Sequence, residues 1–357
     1  MTATSLRRLT ALCGILAFVL LSLPALAAPM TWTLGGYIQP RFTDTLGSGL
    51  NGTVPGVVDS TPMTFNDSRV AFLVRAKDGE HVFLQVFIAS VGKDAGRSTT
   101  TLGNTPNGNS TFQIQHAFAE YIEKDYHLRL GLSPVPFGYE NPITSCMLIT
   151  TERSQVSTVL FSKVGKTAEN FSLDHGLYAY YLPKDGFNVS LGVTNGQPVD
   201  VSSDTENGKT IVARVGYFIP GGQVGVSYYN GKRTEPIAVF APELDMKRLG
   251  ADLQTVIGPF TILGEYIAGT DGTIKSQGGY LTGAYQPAGS PHQEYLRVDT
   301  YNPNTNPLAS TYYERATAGY CYFINPTSKA QVEYQAIKDN ANPGMHGSVT
   351  LQYQIIF

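Results

Sequence analysis

Residues 346–357 read HGSVTLQYQIIF. Val349, Leu351, Tyr353, Ile355 and Phe357 fall on one parity, while Ser348, Thr350, Gln352 and Gln354 fall on the other. Successive side chains of an extended strand point to opposite faces, so this segment is a strand with one apolar and one polar side. The same period of two recurs upstream, in stretches of about ten residues bounded by turn formers. Sixteen candidates emerge: 31–44, 66–77, 80–91, 112–124, 126–133, 172–182, 186–195, 209–219, 222–231, 246–256, 260–269, 277–286, 292–301, 313–323, 328–338 and 346–357.

The connections between these strands alternate in length. Short ones carry tight-turn residues, such as Lys77-Asp78-Gly79, Glu123-Lys124-Asp125, Pro220-Gly221-Gly222, Gly258-Pro259 and Asn325-Pro326-Thr327. The intervening ones, including 45–65, 92–111, 134–171, 196–208, 231–245 and 302–312, are longer and rich in Gly, Ser, Thr, Asn and Pro. A two-sheet sandwich has no reason to produce that asymmetry. A transmembrane barrel does, because it sets short turns on one rim and long loops on the other. In lipid every backbone N–H and C=O must be satisfied within the protein, so a β structure spans only as a closed cylinder without a free edge. The fold class expected is therefore all-β: a closed, 16-stranded antiparallel transmembrane β-barrel with short periplasmic turns and long external loops.

Composition agrees. The 357 residues are 42% hydrophobic and only 15% charged, with 37 glycines, 21 tyrosines and a mean hydropathy of -0.09. No stretch beyond the first thirty residues approaches the roughly 18 apolar residues of a spanning helix, and aromatics throughout the chain argue against disorder. At the N-terminus Arg7 and Arg8 precede an apolar run from Leu9 to Leu23, then Pro24 and Ala25-Leu26-Ala27. That order reads as a secretory signal, residues 1–27, cleaved after Ala27 and leaving 28–357 as the barrel. Without it, 23 Lys and Arg stand against 28 Asp and Glu, a net charge near -5. Cys146 and Cys321 remain, too few for a disulfide framework, and are read as free thiols, with pairing between them left open.

Sorting each strand by parity assigns lipid and lumen faces. Val70, Phe72 and Val74; Leu128, Leu130 and Leu132; Val189, Leu191 and Val193; Val224, Val226 and Tyr228; and Val332 and Tyr334 form the outward sets. The opposite parity holds Arg41, Arg69, Arg75, Arg129, Arg214, Arg248, Arg297, Arg315 and Lys329, against Asp252, Glu265, Asp299 and Glu333. This wall is basic although the whole chain is acidic, so the carboxylates are expected mostly in loops and turns. Charged rings along a pore favour ions of opposite sign, and arginine's planar fork suits carboxylate and phosphate. The alternative is that the arginines pair with acids of neighbouring strands and only satisfy the wall.

The longest connection, 134–171, would be the third external loop. It carries Pro136, Phe137, Ile143, Met147, Leu148, Ile149, Val156, Val159, Leu160 and Phe161, too apolar to extend into water, and is expected to fold inward as a constriction. Glu152, Arg153, Lys163 and Lys166 would then face the narrowest part of the lumen.

The stretch LGLSPVPFGYENPITSCMLITTERS (130–154), with FQIQHAFAEYIEKDYHLRLG (112–131), QEYLRVDTYNPN (293–304), AGYCYFINPTSKAQVEYQ (318–335) and the terminal LQYQIIF, resembles the phosphate-selective porin O and P family. The terminal phenylalanine likewise looks like the C-terminal signature of bacterial outer-membrane barrels. The resemblance implies passive diffusion of small solutes, anions such as phosphate among them, through a homotrimer in the bacterial outer membrane with one pore per subunit. Lipid and lipopolysaccharide would be its outer partners. It implies that Pro136-Phe137-Gly138 turn the chain into the third loop and that Glu152-Arg153-Ser154 lie on that loop inside the pore. One departure is the constriction, where a lysine cluster would be expected and only Lys163 and Lys166 are offered, beside Glu140, Glu152 and Glu169.

No catalytic, cofactor or metal motif stands out. The six histidines lie on separate segments without ligand spacing, no glycine pattern opens a helix after a strand, and net acidity argues against a nucleic-acid partner. Three other readings stand beside this one, the first a soluble, periplasmic or secreted carbohydrate-binding β protein, which would lack heat-modifiable gel mobility and detergent-dependent solubility. A general or carbohydrate-type diffusion channel would need aromatic tracks, for which Phe83, Phe87 and Tyr229 are candidates. A barrel hydrolase would need a rim histidine, for which His127 and His175 are the nearest.

Overall fold

The computed structural model describes residues 30–46, 69–91, 111–161, 173–196, 208–234, 243–306, 312–339 and 346–357. Its strands are β1 (Thr31–Gln39), β2 (Arg41–Leu46), β3 (Arg69–Asp78), β4 (Val82–Val91), β5 (Thr111–Glu123) and β6 (Tyr126–Pro134). After a helical turn at Ser145–Met147 and a short helix, α1 (Gln155–Phe161), come β7 (Leu173–Tyr181), β8 (Phe187–Thr194), β9 (Thr210–Ile219), β10 (Gly222–Thr234) and β11 (Glu243–Ile257). The rest are β12 (Phe260–Asp271), β13 (Ile274–Tyr285), β14 (His292–Asn302), β15 (Tyr313–Asn325), β16 (Ser328–Asp339) and β17 (His346–Ile356).

Every strand from β3 to β17 pairs antiparallel with the next, and the first and last strands close the ring. β1 lies along β3 from Thr31↔Lys77 to Gln39↔Arg69, and β2 lies along β17 from Arg41↔Gln352 to Leu46↔Gly347. β1 and β2 are one strand interrupted at Pro40, which has no N–H to give to a ladder. The Pro40 carbonyl still accepts from Tyr353 N at 3.1 Å. The barrel is thus a closed, 16-stranded antiparallel cylinder. At the seam Gly36 and Phe357 exchange two backbone hydrogen bonds of 2.9 and 3.0 Å. A Cβ on Gly36 would collide with the Ala71 carbonyl and the Phe357 ring, so only glycine lets the two strands close there.

The pleat separates lipid from lumen. On β14 Leu296 and Val298 are 67% and 58% exposed, while Arg297 and Asp299 between and beside them are 3% and 1% exposed. Leu132 departs from its predicted outward set. It is buried, directly after Gly131, whose φ of +130° breaks the regular pleat. In β5 the register slips between Phe87↔His116 and Ile88↔Ile114, leaving Gln115 unpaired as a bulge. Ile114 therefore points out while His116 is buried, two residues apart on what strict alternation would make one face. The alternation of connection lengths also has an exception, because β12 and β13 are joined on the long-loop rim by a turn of Gly272 and Thr273 alone. Gly272, at φ +57°, takes the left-handed conformation that such a tight hairpin needs. The predicted signal, residues 1–27, lies outside the described residues.

Candidate functional site

The segment after β6 crosses the barrel interior. Val135, Phe137, Val156 and Leu160 pack into an apolar cluster with Val212, Tyr229, Met246, Leu263, Ile267, Tyr280 and Tyr301 of β9 to β14. Burying those side chains, at about 25 cal/mol per Å² of apolar surface, is the main reason the segment lies inside the barrel. Directed bonds then fix it. Gly138 N donates to Ser227 Oγ at 2.9 Å, and Glu140 N to Glu265 Oε2 at 3.2 Å. Thr151 donates from N and Oγ1 to the Glu333 carboxylate at 2.8 and 2.6 Å. Lys329 Nζ reaches Leu148 O at 3.2 Å, and Gln331 Nε2 reaches Ile149 O at 2.7 Å. Gln354 Nε2 donates to Cys146 O at 3.2 Å. The loop therefore rests on the wall from β10 to β17 and on β2.

The arginines sorted inward are mostly committed. Arg41 pairs with Glu152 and also donates to Thr151 O; Arg69 reaches the same Glu152 at 3.2 Å. Arg129 pairs with Glu120 at 2.9 Å, Arg214 with Asp252 at 2.5 Å and Arg248 with Asp271 at 2.6 Å. Arg297 holds Glu140 at 2.7 Å and donates to Glu152 O at 3.0 Å. Arg315 holds Asp299 at 2.9 Å and donates to Arg153 O at 2.6 Å. Arg75 differs: its Nε donates to Gln85 Oε1 at 2.9 Å, and no carboxylate among the described residues meets it.

The third loop carries its own acids back inside, so the wall's excess of base is smaller than parity alone gives. Glu140 and Glu152, with Glu120 on β5 and Asp271 at the end of β12, double the four wall carboxylates that parity assigns. Burial opposes ionisation of Glu140 most strongly, yet Arg297, Arg153 and two bonds from Ser154 outweigh it and hold its pKa below the usual 4.5. Burial opposes Glu152 in the same way, and Arg69 and Arg41 hold it below the same value. Arg153 donates to the carbonyls of Glu140 and Ile143 in its own loop. Lys163 and Lys166 lie outside the described residues.

Opposite the latched wall, the loop leaves a cavity of about 600 Å³ bounded by β3 to β10. Arg75, Phe83, His116, Arg129, Tyr180 and Gln223 are among its walls. The Arg129 guanidinium lies 4.0 Å from the centroid of Phe118 and 5.1 Å from that of Tyr180. Lys77 lies 5.3 Å over Phe83 and shares the inward face with Arg75. Of the predicted aromatic track only Phe83 borders this space. Phe87 is buried in the wall and Tyr229 beneath the loop. His127 faces Glu120 inside at 3.4 Å, whereas His175 is exposed on the parity of the outward Leu177, so the two do not converge. Cys146 and Cys321 are both free thiols.

Parity reasoning missed Glu120, Phe118 and His116 because the Gln115 bulge scrambles β5, and missed Asp271 because β12 runs past residue 269. Lys77 was within reach, since it lies two residues beyond Arg75 on the same strand.

No protein-family model and no curated protein sequence matches this chain. Solved structures do. The anion-selective porin from Comamonas acidovorans superposes with a TM-score of 0.63 at 14% identity, covering 92% of this chain and all of its own. The barrel has the fold of the bacterial porins. OmpF of Salmonella typhi matches at TM-score 0.63 and 14% identity, over 91% of this chain and 97% of its own. OprB of Pseudomonas putida matches at 0.61 and 13%, over 92% and 94%.

Proposed function

We propose that this protein is a bacterial outer-membrane porin through which small hydrophilic solutes diffuse passively, anions in preference to cations. The observation that carries the reading is the asymmetric filling of the barrel. The third loop acts as a constriction on one wall, and the passage beside it is bordered by Arg75, which has no carboxylate partner among the described residues, with Lys77 over the bordering Phe83 ring. A basic wall without compensating acid lowers the barrier for anions. The P-F-G and E-R-S motifs support kinship with the phosphate-selective O and P porins. Because carboxylates of the wall and of the loop together neutralise most of the arginines, small anions in general, phosphate included, are the permeants proposed. Outer-membrane lipid and lipopolysaccharide would surround a homotrimer, an assembly also found in the trimer form of OmpT of Vibrio cholerae, whose fold matches with a TM-score of 0.61.

The same neutralisation favours a second reading, general or carbohydrate-type diffusion without ion preference. The reversal potential across a planar bilayer in a KCl gradient separates the two. A chloride preference is expected. A value near zero would favour the second reading, and a cation preference would remove the anion reading while leaving the barrel intact.

A further inference from the structure

Within the porin reading, on which this rests, the wall at β3 and β4 is more specific than a basic patch. Arg75 pairs across the ladder with Gln85, and Lys77 with Phe83, so Arg75 and Phe83 are diagonal neighbours on one face, roughly 7–8 Å apart. Gln85 takes only Nε of Arg75 and is itself held by His116 Nδ1 at 2.9 Å. That imidazole is flanked by the rings of Phe87 and Phe118, with centroids at 5.0 and 6.3 Å. The chain of contacts holds the guanidinium by Nε at the cavity wall, and no hydrogen bond among the described residues engages its two terminal nitrogens, a fork that can receive a carboxylate with two parallel bonds. Beside it Phe83 offers a ring face with Lys77 over it.

We propose that this wall is a binding station for aromatic monocarboxylates, the carboxylate on Arg75 and the ring against Phe83. A sugar would call for free carboxylates beside the ring, but the nearby Glu120 is occupied by Arg129 through Nε and Nη2 at 3.2 and 2.9 Å. Phosphate would gain nothing from an apolar ring. A cavity of about 600 Å³ holds a single-ring acid comfortably.

The test is block of chloride current through single channels in planar bilayers, with benzoate, acetate, inorganic phosphate and maltotriose as probes. Benzoate should block at concentrations roughly tenfold lower than acetate, the gain that ring stacking supplies. Phe83→Leu should reduce that ratio to roughly twofold or less, and Arg75→Gln should abolish block by benzoate. Arg75→Lys, which keeps the charge and loses the fork, should weaken it. Heat-modifiable gel mobility checks that each variant has folded. Equal block by benzoate and acetate in a conducting wild-type channel overturns this proposal alone, as does block by maltotriose or phosphate at lower concentration than benzoate. A folded barrel that conducts nothing overturns the porin reading, and this proposal with it.

Discussion

Glu152 sets the charge balance of the constriction. One carboxylate serves two guanidiniums, Arg41 and Arg69, while its own carbonyl is held by Arg297. Removing its charge takes from Arg41 and Arg69 the carboxylate they share. An additional unit charge about 5 Å from a permeant ion in water is worth about 0.8 kcal/mol, roughly a fourfold change in local ion ratio. Glu152→Gln, which keeps the shape, is therefore expected to move the KCl reversal potential further toward chloride. An unchanged potential would mean that these arginines do not act on permeating ions. Arg153 is of another kind. Both ends of its fork are spent on the carbonyls of Glu140 and Ile143, so it braces the loop and does not aim at the passage.

At the scale of the element, the third loop is an apolar wedge held by ionised carboxylates, and its pH dependence follows from their direction of shift. Both Glu140 and Glu152 have folded-state pKa values below 4.5. A carboxylate depressed in the folded state adds stability that is fully present above its unfolded pKa and is lost as pH falls through the folded one. Conductance and selectivity should accordingly hold steady from neutral pH down to about 4.5 and change only in stronger acid. A transition between pH 5 and 7 in single-channel recordings would show that other groups latch the loop. The loop also shows where sequence is legible. The apolar run through Phe137, Val156 and Leu160 betrays a segment that must be covered, and period two places Arg297 and Arg315 on the inner wall. Parity says nothing, however, about a loop carboxylate returning to a distant strand. The pairing of Glu140 with Arg297, 157 residues away, depends on the closed ring and on Gly138. At φ +65°, a Cβ there would collide with the Glu265 carboxylate.

For the whole molecule the decisive property is that the cylinder has two unlike solvents, one on each side of a single layer of backbone. Sixteen strands close without an edge, so the hydrocarbon meets only side chains of one parity. Leu296 is a clean probe of that side. It is 67% exposed, and its cross-strand neighbours are Gly283 on β13 and Ala318 on β15, too small to shield it. A lysine there would have to enter the acyl region or drag the surface toward water, at a cost of about 2–4 kcal/mol near the bilayer midplane that falls toward the interfaces. The same lysine in place of Gln223, which borders the interior cavity, meets water and should cost little. Urea titration of protein refolded into phosphatidylcholine vesicles compares the two directly. The barrel's orientation requires Leu296→Lys to be the more destabilising, and equal stability for the two variants would mean that the face assigned to lipid is not the one the membrane touches.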